Sequence, residues 1–68
     1  MDAIEIKEAI NRYDEQSVYI STVDGKTYVG MLQVKTVLSP NGKFRRVLLV
    51  GWREEAIEID NVSEIRLV

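Results

Sequence analysis

"YVGMLQVKTVL", residues 28–38, is the stretch that decides the fold. β-branched and other apolar residues dominate it, so it reads as a long strand. Its apolar residues fall on both parities, with Tyr28, Leu32 and Val34 on one and Val29, Met31 and Val37 on the other. Successive side chains of a strand point to opposite faces, so both faces of this strand need cover. Gly30 marks the place where it bends or meets another backbone closely. A bent strand can serve two sheets, one on each side of the bend.

The flanks supply the partner strands. Asp24-Gly25 precedes the stretch and Asn41-Gly42 follows it, both strong hairpin signals. Before the first turn lies the strand 17–23, "SVYISTV"; after the second lies 44–52, "FRRVLLVGW". A short strand, 56–59, follows the polar connection 53–55; a tight turn over 60–63 and a last strand, 64–68, complete the order. With Asp24-Gly25 and Asn41-Gly42 as two-residue loops, Ile20 pairs with Val29, Val18 with Met31, Met31 with Trp52 and Val34 with Leu49. Val18, Ile20, Val29, Met31, Leu48, Val50 and Trp52 then share one face, and Tyr19, Tyr28, Leu32, Val34, Val47 and Leu49 the other. A slip of one residue would exchange the faces. Upstream, Asp2 and Glu5 stand at capping-box spacing. Ile6, Ala9, Ile10 and Tyr13 continue at helical spacing, which predicts a helix over 3–13. The whole chain reads as one mainly β domain, 1–68: an N-terminal helix followed, over 17–68, by a strongly bent five-stranded antiparallel barrel.

Composition narrows the function. The chain has 68 residues and no Cys or His, which removes disulfides, thiolate and imidazole metal sites, Cys nucleophiles and His bases. Glu54 and Glu55 are adjacent, a poor geometry for an acid/base pair. The four glycines are scattered and form no phosphate loop. The expectation is a non-enzyme with no cofactor and no metal. No apolar run approaches membrane-spanning length, and a Cys-free chain is compatible with the cytoplasm. So small a domain buries little surface alone, and oligomerisation is the stabilising device left to it.

The apolar skeleton resembles the Sm/LSm family of small β-barrels. "VDGKTYVGMLQV", residues 23–34, with Val29-Gly30-Met31-Leu32 at its centre, looks like that family's first motif, and Asn61-Val62 followed by Ile65 looks like the end of its second. The resemblance covers roughly residues 4–67 and implies a ring of identical subunits that binds single-stranded RNA. It implies RNA contacts from Lys35, Thr36, Asn41 and Asn61. It implies subunit contacts at the fourth and fifth strands, through Ala56, Ile57, Ile59, Ile65 and Leu67. The polar positions depart from the family pattern: Thr36 or Lys35 stands in place of the first motif's Asp, and Glu58-Ile59 in place of the second motif's basic-Gly pair. The chain is also similar, less completely, to YolD-like proteins through "EIDNVSEI", residues 58–65. That similarity, or an SH3-like one, implies a protein-interaction module without nucleic acid.

Independently of resemblance, Lys43, Arg45 and Arg46 form the densest basic cluster, with Lys35 on the partner strand and Arg53 after Trp52. Such a cluster contacts phosphates, or it solubilises a hairpin tip and blocks unwanted pairing. The net charge of −2 gives no general attraction to nucleic acid. Trp52 reads as a core or interface anchor, or as a base-stacking platform. Tyr19 and Tyr28 read as a cross-strand pair. Asn41 reads as a turn residue, whose Asn-Gly geometry is explained by the turn alone, with an RNA contact as the alternative.

Overall fold

The structure, a computed structural model, describes residues 1–52 and 55–68. Arg53 and Glu54, the former counted above among the basic residues, lie outside the described residues. Helix α1 spans Ala3–Tyr13 as the spacing predicts. The Asp2 carboxylate accepts the Glu5 N–H at 2.8 Å and the Glu5 carboxylate reaches back to the Asp2 N–H at 3.5 Å, the reciprocal capping box. Ile6, Ala9 and Ile10 form its buried stripe. Glu15, at φ 65°, then turns the chain, and its N–H and the Gln16 carbonyl bind Leu32 at 2.8 and 2.9 Å.

Five antiparallel strands follow: β1 (Ser17–Thr22), β2 (Thr27–Leu38), β3 (Phe44–Val50), β4 (Ile57–Glu58) and β5 (Val62–Leu67). Their order in space is β4-β3-β2-β1-β5, an open sheet with β4 and β5 as its outer strands. The expected mainly β fold, one N-terminal helix followed by five antiparallel strands, is present; the sheet stays open rather than closing into a barrel, with α1 packed mainly on β5. The long strand β2 does serve two partners: residues 27–31 pair with β1 and residues 32–38 with β3. Gly30 sits at the handover, at φ 156°. A Cβ there would lie 2.8 Å from the Gly51 Cα and 2.9 Å from its nitrogen, so only glycine lets the two backbones meet.

Both hairpin registers differ by one residue from those the two-residue loops predict. Ile20 pairs with Tyr28 and Val18 with Gly30; Leu32 pairs with Val50 and Val34 with Leu48. The cause is the same in each loop. The Thr22 N–H bonds the Lys26 carbonyl and the Gly25 N–H bonds the Thr22 carbonyl; the Ser39 N–H bonds the Lys43 carbonyl and the Gly42 N–H bonds the Ser39 carbonyl. These are three-residue loops closed by a glycine at positive φ, 86° for Gly25 and 81° for Gly42. The hydroxyls of Thr22 and Ser39 decide it. Each bonds the side chain two residues on, Asp24 or Asn41, and so holds the wider loop.

The shift turns β2 over, while β1 and β3 keep their expected inner residues. Val18, Ile20, Tyr28, Leu32, Leu48 and Val50 are buried with Ile57, Val62, Ile65 and the helix stripe. Val29 and Met31 are exposed instead, and Trp52 is exposed because β3 ends at Val50 and Gly51, at φ 64°, turns the chain. Tyr28 is a core residue, whereas Tyr19 lies on the outer face with the Arg66 guanidinium 4.6 Å from its ring centre, so the two tyrosines are not a cross-strand pair. The expected fourth strand is reduced to two residues because Ile59–Asn61 form a 3-10 turn, and β5 accordingly begins at Val62 rather than Glu64.

Candidate nucleic-acid and assembly surfaces

The far end of the β2–β3 hairpin runs beyond the core. Residues directly opposite share a face: Thr36 with Arg46 and Leu38 with Phe44 on one side, Lys35 with Val47 and Val37 with Arg45 on the other. Leu38 is 63% exposed and Phe44 74%. Lys7 of α1 reaches the same recess, lined by Phe44, Arg45, Arg46, Glu58, Ile59 and Asp60. Three cations face two carboxylates there, and Arg45 is committed to Glu58 at 2.6 Å. Among the described residues, Lys7, Lys35, Lys43 and Arg46 form no ion pair.

The basic and polar residues picked out by the sequence do not all meet. Thr36 and Arg46 flank Phe44's side of the hairpin, while Lys35 and Arg45 lie on the opposite side. Asn41 and Lys43 sit at the tip, where the Asn41 carboxamide oxygen accepts the Lys43 N–H at 3.2 Å and so serves the turn. Asn61 is remote from them, its carbonyl accepting the Val23 N–H at 2.8 Å beside the other loop. Phe44 is the residue that sequence reasoning passed over. It stood inside a basic run, and its pairing with exposed Leu38 depends on a register the turns had to reveal.

The expected assembly residues divide likewise. Ile57 and Ile65 are core residues, Ile59 is half-buried, and Ala56 and Leu67 are exposed. The Val68 N–H bonds the Ser17 carbonyl, so alternation turns the backbone groups of Ile65 and Leu67 toward the open side of β5. The Ile65 N–H meets the Met1 sulfur at 3.4 Å, a weak acceptor. On the outer face Val29, Met31 and Trp52 line an open cleft with Gln33 and the Gly30–Gly51 contact beneath them. Trp52 is fully exposed, which removes the core role from the readings its sequence position allowed and leaves those of interface anchor and stacking platform.

Two side chains at the first loop have shifted proton affinities. The Thr22 hydroxyl bonded to Asp24 holds that carboxyl below its ordinary value of 3.8. Lys26 is raised by its hydrogen bond and ion pair with Glu55, 3.3 Å away. Among the described residues no three carboxylates gather as a metal site, and no helix is long and apolar enough to cross a membrane. No family model, curated protein or solved structure matches the chain.

Proposed function

We propose that this chain is a non-catalytic, Sm-like RNA-binding subunit that works as a homo-oligomeric ring. The observation that carries the reading is the strand order β4-β3-β2-β1-β5, which leaves two different strands outermost. Pairing of one subunit's β5 edge with the next subunit's β4 edge is a heterologous contact, which generates a ring where the rotation between subunits closes. Around a ring, each hairpin would present an exposed Phe44 beside Arg46, Lys43 and Lys7. An aromatic platform with nearby cations suits an unpaired strand, and repetition supplies avidity.

Light scattering together with fluorescence anisotropy of a labelled single-stranded oligoribonucleotide tests this. We expect a mass of several subunits, binding that weakens as salt is raised, and about tenfold weaker binding for Lys43→Gln/Arg46→Gln. A chain that leaves the probe's anisotropy unchanged at low salt sinks the RNA reading.

The Val29–Met31–Trp52 cleft favours a second reading, a protein-interaction module of YolD-like or SH3-like type. A fully exposed Trp on an apolar surface is a common binding anchor. A monomer that ignores the oligonucleotide would leave this reading standing.

A further inference from the structure

Strand β2 has an edge that neither the fold nor the ring uses. The Gly51 N–H bonds the Met31 carbonyl and the Ser39 N–H bonds the Lys43 carbonyl, so odd-numbered residues of β2 turn their backbone groups to β3. Val34, Thr36 and Leu38 therefore turn theirs the other way. On that side β1 ends opposite Met31, and Leu32 is taken by Glu15 and Gln16. Among the described residues nothing pairs with the N–H and C=O groups of Val34, Thr36 and Leu38. Open edges of this kind are normally shortened, charged, kinked or covered. This one runs five residues and carries a single charge, Lys35.

We infer that this edge, Val34–Leu38, joins the same edge of a second copy, antiparallel, with Thr36 on the two-fold axis. The alignment follows from the sequence itself. Antiparallel pairing about Thr36 sets Val34 opposite Leu38, Lys35 opposite Val37 and Thr36 opposite Thr36. The parity fits, because the even-numbered residues that point outward become the three hydrogen-bonded pairs, about six bonds in all. No like charges stand opposite each other, and a Thr–Thr pair is among the favourable cross-strand matches. Leu38 then lies in an apolar row between its own Phe44 and Val34 of the second copy, which covers the apolar surface the hairpin leaves in water.

Charge complementarity supports the same alignment. Asp14 and Glu15 stand beside Gln33, Val34 and Lys35 at one end of the edge, and Lys43 lies past its other end. Antiparallel pairing brings the Lys43 end of each copy toward the acidic end of the other. The contact is isologous and does not depend on β4 or β5, so it can exist with or without the ring.

Thr36→Lys tests it. The site is exposed, so the fold tolerates the change, but two ammonium groups would then meet on the axis. Light scattering over a dilution series should give an even number of subunits for the original chain. Thr36→Lys should halve that number or weaken the association at least about tenfold, while Thr27→Lys, an exposed control elsewhere on β2, should leave it unchanged. Thr36→Cys in this Cys-free chain should oxidise to a dimer whose formation does not require the ring. A monomer at every concentration overturns both the edge pairing and the ring. A mass that Thr36→Lys leaves intact and Leu67→Pro destroys overturns the edge pairing and leaves the ring.

Discussion

The two hairpins of this molecule are built around the same loop and put to different ends. Thr22-Val23-Asp24-Gly25-Lys26 and Ser39-Pro40-Asn41-Gly42-Lys43 share a hydroxyl, a side-chain oxygen two residues on, a glycine at positive φ and a closing lysine. Both close through the same pair of backbone hydrogen bonds. Yet β1–β2 lies between β5 and the rest of β2, with its inner residues buried, whereas β2–β3 ends in exposed residues with its tip in water. The loop fixes register, and neighbours decide what the register is worth. The first hairpin is held within the sheet, and the second leaves Leu38 and Phe44 in water.

The largest contrast should appear between two aromatic residues. Tyr28→Ala removes a core ring from the first hairpin and should cost about 3–5 kcal/mol in chemical denaturation. Phe44→Ala, at the exposed end of the second, should stay within about 0.5 kcal/mol under dilute conditions. Equal losses would show that the projecting hairpin is part of the cooperative core. Next comes the junction between the hairpins. Gly30→Ala forces a Cβ into the Gly51 backbone and should cost about 2–3 kcal/mol, with lowered amide-exchange protection on both sides of β2. A neutral Gly30→Ala would mean the two backbones can part without loss.

The loops themselves give a smaller difference. Thr22 is buried; its hydroxyl accepts the Lys26 N–H at 3.2 Å and bonds Asp24. Thr22→Val should therefore cost about 1–2 kcal/mol, since it strands polar groups in a part-buried loop. Ser39 makes the matching bonds nearer to water, including one to the Lys43 carbonyl at 2.7 Å, and Ser39→Ala should cost about 0.5 kcal/mol. The reverse ranking would contradict the view that surroundings, not loop chemistry, set the worth of each hairpin.

These loops also mark where the sequence was readable. Helix 3–13, the succession of five strands along the chain and the role of Gly30 were legible because capping, periodicity and breaker residues are local signals. The register was not, because Asp24-Gly25 and Asn41-Gly42 fit two-residue loops equally well. The deciding atoms are the hydroxyls of Thr22 and Ser39, two residues earlier, and their appearance in both loops was the available clue. The one-residue error set Val29 and Met31 on the face of Val18 and Ile20 and hid the pairing of Phe44 with Leu38, while Trp52 lies outside because β3 ends at Val50 and Gly51 turns the chain. The open edge of β2 was equally out of reach. It depends on where β1 stops, and the sequence of β2 does not say.

The smallest effect separates the loops by acid. Asp24 and Asn41 hold equivalent places, but only Asp24 titrates. Its carboxyl is held below 3.8 in the folded chain, first by the Thr22 hydroxyl. A depressed folded pKa means that the unfolded chain takes up its proton first as pH falls. The loop's contribution is therefore complete above the unfolded value and lost as pH drops through the folded one. Asp24→Asn copies the other loop. It should keep the register and near-neutral stability, and it should flatten the decline of the thermal midpoint below about pH 4. An acid limb unchanged by Asp24→Asn would assign the acid sensitivity to other carboxylates. The two loops would then be equivalent in acid as well as in shape.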